Sequence, residues 1–307
     1  VNMRSVTNMP ASIHQLLLNK ARETNRPFNE VLQYYVMERF LYRLSKSPYA
    51  GRFVLKGALM FKVWKLESYR PTMDIDLGGK TANHVENLVA VAKEVSSQQV
   101  EPDGVNFDPT SVSGAVIAED ANYSGVRIRL RANLGTARVS IQLDVGFGDV
   151  VVPSPEPIEY PTILDFPAPQ LRGYSKESVV AEKFESLVTL GILNSRMKDY
   201  FDIWTLSQQF DFKGPALSEA IAKTFSNRGT TIVSRPVGLT RRFADDATKK
   251  TQWHGFIRRS RLRTSQDLGK VVDDVAGFLV PVATALSAGK RLEGKWNAPG
   301  PWIGSDN

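Results

Sequence analysis

Met73-Asp74-Ile75-Asp76-Leu77 alternates acidic and apolar residues at a period of two. Successive side chains of an extended strand point to opposite faces, so Asp74 and Asp76 share one face while Met73, Ile75 and Leu77 share the other. Two carboxylates side by side raise each other's pKa unless a cation lies between them. Mg²⁺ suits such a pair because it prefers oxygen ligands and bridges to substrate phosphates. A solvent-facing acidic pair is the alternative. A second alternating run, Val139 to Val145, carries Ser140, Gln142 and Asp144 on its polar face, and Asp144 is the only acid there. If the two strands are neighbours in one sheet, Asp144 completes a three-carboxylate site of the kind that serves phosphoryl or nucleotidyl transfer. Half-polar strands of antiparallel sheets give the same pattern without any metal.

Lys56-Gly57-Ala58 lies between two apolar runs, Phe53-Val54-Leu55 and Leu59 through Trp64. Backbone N–H groups at a helix start can hold a phosphate, and a glycine lets it approach; a simple turn is the competing reading. Lys183 stands four residues from both Val179 and Leu187, so it interrupts the apolar stripe of a helix. It must either find a partner or extend its ammonium to water. Asp199 and Asp202, three residues apart among Met197, Phe201, Ile203 and Trp204, are suitable partners. Arg127, Arg129 and Arg131 form a basic stripe along one strand face, and Arg241 to Arg263 holds eight Lys or Arg against two Asp. Both could grip phosphates or simply be solvated. The second run, interleaved with Phe243, Trp253 and Phe256, is the better RNA candidate.

The elements that must position these residues follow from apolar periodicity. Ala11 to Ser47 reads as two helices broken near Asn25-Arg26-Pro27, with Pro27 in the first turn of the second. A strand at Phe53–Leu55, a helix over Leu59–Trp64, the acidic strand and a helix over 82–96 come next. A hairpin of strands 125–131 and 138–145 is joined through Asn133-Leu134-Gly135-Thr136. Six prolines between Pro153 and Pro169 predict a linker and a domain boundary. Beyond it, Ser175 is suited to cap a helix over 176–193, followed by helices over 196–208, 216–225 and 267–288 and a Gly- and Pro-rich tail from Gly294.

With 307 residues, 42% hydrophobic and 23% charged, the chain can bury a sizeable core in two structural units. The absence of cysteine excludes disulfides, thiolate metal sites and cysteine nucleophiles. A net charge of +7 and a pI near 9.5 favour a polyanionic partner. No run approaches a membrane span and no signal peptide is readable, so a soluble cytoplasmic protein is expected. With no exposed heptad in view, a monomer is expected.

Taken in order, Phe53-Val54-Leu55-Lys56-Gly57-Ala58, Arg70-Pro71-Thr72-Met73-Asp74-Ile75-Asp76-Leu77, Val180-Ala181-Glu182-Lys183 and Arg196-Met197-Lys198-Asp199-Tyr200-Phe201-Asp202-Ile203 resemble the AbiEii/AbiGii toxin family, to which MenT-type toxins belong. The similarity runs from about Ala11 to Leu206. It implies an α+β fold in which a DNA-polymerase-β-like nucleotidyltransferase mixed sheet with flanking helices precedes an all-helical C-terminal domain. The corresponding division is a helical segment over 1–50, a nucleotidyltransferase domain over 51–165, a helical domain completing the active site over 166–290, and a mobile tail over 291–307. The resemblance also implies a toxin of toxin–antitoxin and abortive-infection (phage-defence) systems. Such a toxin adds nucleotides from an NTP to the tRNA 3′ end and so blocks aminoacylation and translation. NTP, RNA in the form of tRNA and a cognate antitoxin are the implied partners, with Mg²⁺, or Mn²⁺ in its place, as cofactor.

Residue by residue, Gly57 and Ala58 match the nucleotide loop, with Lys56 beside them, and Asp74 and Asp76 match the metal-binding Asp-x-Asp. Lys183 matches the NTP-contacting lysine, and Asp199 or Asp202 matches the acid of the Lys-Asp motif that includes Lys198. Arg70 and Thr72, in the segment that leads to the acidic pair, are expected at the nucleotide. On this reading Asp74, Asp76 and Asp144 hold the metal, and Lys183 neutralises phosphate charge. Asp202, or else Asp199, orients Lys183 or helps deprotonate the attacking hydroxyl. Ala58 departs from the Gly or Ser usual in the family, which points to altered nucleotide preference. Two rivals are a protein hydroxyl as acceptor and a non-catalytic RNA- or antitoxin-binding module. The paired carboxylates argue against the second, because a binder of phosphates gains nothing from them.

Overall fold

The computed structural model describes residues 8–66, 70–120, 123–262 and 266–304. They form two compact units, the first made of residues through Lys65 with Pro71–Gly148 and Glu156–Gly173, the second of Leu66–Arg70, Asp149–Pro155 and the chain from Tyr174 onward.

The first unit opens with helix α1 (Met9–Thr24), capped by the Asn8 side chain and ended by Asn25 in the left-handed conformation at φ 52°. Helix α2 (Phe28–Lys46) follows at once, with Pro27 at its N-cap, and is buried continuously from Val31 to Leu44. A seven-stranded sheet is built from β1 (Phe53–Lys56), β2 (Asp74–Gly79), β3 (Val105–Asp120), β4 (Tyr123–Leu134), β5 (Ala137–Phe147), β6 (Glu156–Glu159) and β7 (Gln170–Gly173). Its order is β3-β4-β5-β2-β1-β7-β6. β2 pairs parallel with β5, and β1 parallel with β7, while the remaining pairs are antiparallel. Helices α3 (Met60–Val63) and α4 (Val85–Ser96) complete the unit. Ile75, Leu77, Leu143 and Val145 share one core with α2 and α4 residues such as Phe40 and Leu88. Burying that face of β2 turns the alternate residues, Asp74 and Asp76, to the other.

The proline-rich run is not a linker. It contributes β6, and the sheet extends through β7 to Gly173. Proline cannot donate to a ladder, but β6 is the edge strand, where Pro157 is tolerated. Strand β3, absent from the sequence reading, forms the opposite edge.

In the second unit, α5 (Lys176–Leu190) starts at Ser175, whose side chain accepts from Ser178 N, and stops at Gly191 with φ 50°. The further helices are α6 (Met197–Gln209), α7 (Gly214–Arg228), α8 (Arg241–Ala244), α9 (Ala247–Arg259) and α10 (Leu268–Ser287). This half is not wholly helical, because β8 (Phe212–Lys213), β9 (Lys295–Trp296) and β10 (Trp302–Ile303) form a small sheet. The tail expected to be mobile from residue 291 is therefore anchored through residue 304, and 305–307 lie outside the described residues. Trp296 Nε1 donates to Ser207 O at 2.7 Å, Trp302 Nε1 donates to Phe278 O at 2.9 Å, and both rings pack on Phe278. Two tryptophans bury enough surface to offset the chain entropy that the Gly and Pro content alone would leave unopposed. Among the described residues no helix is long and apolar enough to cross a membrane.

Candidate active site

β2 lies inside the sheet between β1 and β5. Asp76 is in register with Lys56 on one side and Asp144 on the other, and Asp74 with Gln142. Paired residues of adjacent strands point to the same face, so the sheet assembles the polar set inferred from spacing. Asp74 and Asp76 are half-buried, whereas Ile75 and Leu77 between and beyond them are closed off from solvent.

Gly57 is required there twice over. Its φ is +68°, a conformation that costs an L side chain energy, and a Cβ built on it would sit 2.0 Å from Asp76 Oδ2 and 2.8 Å from Asp76 Cβ. The turn after β1 thus passes directly against the Asp76 side chain. Ala58 is buried, so the methyl group that departs from the family pattern faces the interior and is not presented at the surface.

Helix α2 supports the strand ends from behind. Gln33 Nε2 donates to Met73 O at 3.3 Å and to Ser140 O at 3.1 Å, bridging β2 and β5 just before Asp74 and Gln142. Tyr34 Oη accepts from Thr72 N at 3.0 Å. Thr72, expected at the nucleotide, is itself buried, and its Oγ1 accepts from Asp74 N at 3.5 Å. Neither Gln33 nor Tyr34 was foreseen. The signal was a glutamine set in the otherwise apolar Val31-Leu32-Gln33-Tyr34-Tyr35-Val36 run.

Asp144 is not arranged as an open third ligand. Arg127, opposite it on β4, donates from Nε to Oδ1 at 2.8 Å and from Nη2 to Oδ2 at 2.7 Å, and Gln142 Nε2 lies 3.3 Å from the same Oδ2. The basic stripe of β4 is spent in this way: Arg129 donates to Gln142 Oε1 and Arg131 to Asp108. Among the described residues no group of three His, Cys, Asp or Glu side chains is arranged to hold a metal ion. The residues still fit a divalent cation in a leaner form, since Mg²⁺ is commonly held by one or two carboxylates together with substrate phosphates. Asp74 and Asp76, on one face beside a glycine turn, are such a pair.

The second unit holds a separate charged cluster. Lys183 on α5 reaches Asp199 Oδ1 and Asp202 Oδ2, both at 2.7 Å. Arg70 grips Asp202 with two hydrogen bonds of 2.9 Å, and Arg196 Nε lies 2.7 Å from Asp199 Oδ2. Both aspartates are fully buried. Burial pushes Asp199 up, but Lys183, Arg196 and the exposed Lys198 outweigh it and hold its carboxyl at about 2. Burial alone would lower Lys183, yet Asp199 and Asp202 raise it above the ordinary lysine value. Lys183 is therefore a fixed, oriented ammonium and does not extend to solvent. Asp199 and Asp202 each bridge Lys183 to an arginine, which suits them to orienting Lys183, and the low pKa of Asp199 makes that carboxylate a poor proton acceptor.

In the basic run the aromatic residues are not available for stacking. Phe243, Trp253 and Phe256 are buried, and Trp253 and Phe256 pack on Phe201. Lys249 is also buried, donating to Asn194 O at 2.9 Å. Arg263 lies outside the described residues.

A mixed sheet whose central strand carries a same-face carboxylate pair beside a glycine turn, joined to a helical unit with a buried lysine–aspartate cluster, defines a nucleotidyltransferase. The chain belongs to the family of AbiEii nucleotidyl transferase toxins of type IV toxin–antitoxin systems, which matches residues 39–274. The match continues well past Leu206, where the resemblance read from sequence ends. In structure the chain is similar to JHP933 from Helicobacter pylori, at 14% identity and a TM-score of 0.49, covering 85% of this chain and 94% of that one. It is also similar to a candidate nucleotidyltransferase from H. pylori, at 14% identity and a TM-score of 0.47, covering 84% and 96%. No curated protein matches. Membership of the family makes NTP the substrate, a divalent metal the usual cofactor and an antitoxin the expected partner.

Proposed function

We propose that the enzyme transfers a nucleoside monophosphate from NTP to the 3′ hydroxyl of an RNA, with tRNA as acceptor, and that Mg²⁺ is the metal held by Asp74 and Asp76. The observation that carries this reading is the placement of both carboxylates on one face of β2, with Asp76 packed against the Gly57 turn. In the transfer, the acceptor oxygen bonds to the α-phosphorus, the bridge to the β-phosphate breaks, and pyrophosphate leaves with the bonding electrons. The metal, when bound, supplies positive charge to the phosphate oxygens on which negative charge develops.

The chain's own groups have distinct tasks in this proposal. Gly57 leaves room for the Asp76 side chain against the turn and so fixes where that carboxylate stands. Arg127 fixes Asp144 and spares the carboxylate pair a third unpaired neighbour. Lys183, charged at any working pH, neutralises phosphate, with Asp199, Asp202 and Arg70 as positioning residues. Asp199, held well below the ordinary carboxylate range by its cationic neighbours, keeps Lys183 oriented, and the hydroxyl proton passes to water. A nucleotide added at the tRNA 3′ end blocks aminoacylation and hence translation, which accounts for toxicity and for the need of an antitoxin.

The test is incubation of purified protein with Mg²⁺, total tRNA and each α-labelled NTP, beside a folded Asp76→Ala variant. Label on tRNA that disappears in the variant supports the proposal. Label on protein instead would replace the RNA acceptor with a protein hydroxyl, and the absence of transfer with all four nucleotides would overturn it.

A further inference from the structure

Helix α9 has two unlike faces. Inward, Trp253 and Phe256 join the core and Lys249 is tied to Asn194 O. Outward, Lys250, His254 and Arg258 recur every four residues, so with a rise of about 1.5 Å per residue they stand about 6 Å apart along the axis. Arg259 flanks this row and Arg261 continues it just beyond the helix end. Gly255 leaves a notch between them, lined by Thr248, Thr251, His254, Arg258 and Arg259. The Arg259 guanidinium lies across the notch, where a Cβ on Gly255 would meet it at 3.3 Å.

The acids of this stretch are already committed. Asp245 pairs with Lys250 at 3.2 Å, and the Asp246 side chain caps α9 by accepting from Lys249 N. Among the described residues no carboxylate pairs with Arg258, Arg259 or Arg261. The exposed positions of the helix are otherwise Ala247, Thr248 and Thr251, with no exposed aromatic or large aliphatic side chain. A protein partner of ordinary affinity needs such an anchor at the centre of its interface, whereas a phosphate backbone needs only charge, forked donors and hydroxyls.

We propose that the outer face of α9, from Thr248 to Arg261, docks the phosphate backbone of the RNA acceptor. This rests on the RNA-acceptor reading above and assigns it a surface. With its aromatic residues buried, the face grips phosphates without reading bases, so it confers affinity that is independent of sequence and dependent on salt.

The test compares wild-type protein with an Arg258→Ala/Arg259→Ala/Arg261→Ala variant. Binding of labelled total tRNA is followed by fluorescence anisotropy between low and physiological salt. Alanine is the best helix former at positions 258 and 259, and Arg261 is exposed beyond the helix end, so the variant should keep its fold, which circular dichroism verifies. An Arg22→Ala/Lys93→Ala/Lys290→Ala variant, which removes the same charge from exposed positions elsewhere, is the control. The expected result is a loss of about tenfold or more in affinity and a salt slope shallower by about 2 to 3, one for each lost phosphate contact, with a smaller change in the control. An unchanged slope, or equal losses in both variants, would overturn the surface assignment while leaving the labelled-transfer result untouched. Failure of the wild type to bind tRNA would instead remove the acceptor reading and this inference with it.

Discussion

Replacing Gly57 by alanine should remove most of the activity while leaving a folded protein. Two costs can be worked out. The φ of +68° places an alanine in the left-handed region, at about 1–2 kcal/mol. The new methyl carbon would then sit 2.0 Å from Asp76 Oδ2, 2.7 Å from its Cγ and 2.8 Å from its Cβ. Rotating the carboxylate relieves the first two contacts. It cannot relieve the third, because Asp76 Cβ is fixed to β2, so turn and strand must part by at least about 0.7 Å to reach van der Waals distance. Both adjustments move the Asp76 carboxylate, by rotation and by displacement, from its position beside Asp74. Since a misplacement of about 1 Å at a reacting centre can cost about 100-fold, kcat should fall by about that factor, with a loss of stability of about 1–3 kcal/mol.

The assay is single-turnover transfer of label from NTP, paired with urea unfolding to confirm that the variant is folded at the assay temperature. Ala58→Gly serves as comparison: it removes a buried methyl one residue on, without touching Asp76, and should cost stability with little change in the transfer rate. If Gly57→Ala transfers label within about threefold of wild type, the close approach of the turn to Asp76 has no part in catalysis. The geometric argument for the site would then fail.

Three other perturbations probe the supports. Gln33→Leu removes the amide that bridges Met73 O and Ser140 O; with two carbonyls losing a donor, urea unfolding should show a loss of about 1–3 kcal/mol, and activity should require more Mg²⁺ for half-saturation. A change in stability without a shift in Mg²⁺ dependence would make Gln33 purely structural. Arg70→Ala leaves the fully buried Asp202 with Lys183 as its one cationic partner among the described residues and should destabilise by about 3–5 kcal/mol, read as a lower urea midpoint. Asp199 is held at about 2 against an ordinary 3.8, so its contribution, about 2 kcal/mol, is complete above about pH 4 and is lost as pH falls through about 2. Unfolding free energies measured from pH 2 to 6 should therefore rise with pH in wild type and rise less steeply in Asp199→Asn.

The parts of this protein that were legible in its sequence are those governed by local period. The alternation around Asp74 and Asp76, the four-residue spacing about Lys183 and the helix break at Pro27 each follow from geometry within one element, and each is found in the structure. What escaped depends on pairing between elements. The sheet edge that accommodates Pro157, and the Phe278 surface that retains Trp296 and Trp302, are supplied by distant residues, so composition alone misread both segments. The Lys183 cluster is intermediate, because spacing identified its lysine and aspartates while Arg70 arrived from 113 positions earlier than Lys183 (183 − 70).

The role of Arg127 could nevertheless have been derived. Leu134 pairs with Ala137, so Gly135 and Thr136 alone form the turn, and every antiparallel partner across the hairpin must then have residue numbers summing to 271. That register sets Arg131 opposite Ser140, Arg129 opposite Gln142 and Arg127 opposite Asp144. With the connection read as Asn133-Leu134-Gly135-Thr136 the register stays open, and Asp144 stands as an acid free for a metal. With the register fixed, a fork of donors faces that acid on the same side of the sheet, and the bidentate pair follows. The same arithmetic gives Arg127 and Arg129 their partners in Asp144 and Gln142, and Asp108, opposite Arg131 on β3, completes the pairing, so the basic stripe of β4 is no free phosphate surface. The unpaired cations of the chain must be sought where no strand register supplies such neighbours, and the outer face of α9 meets that condition.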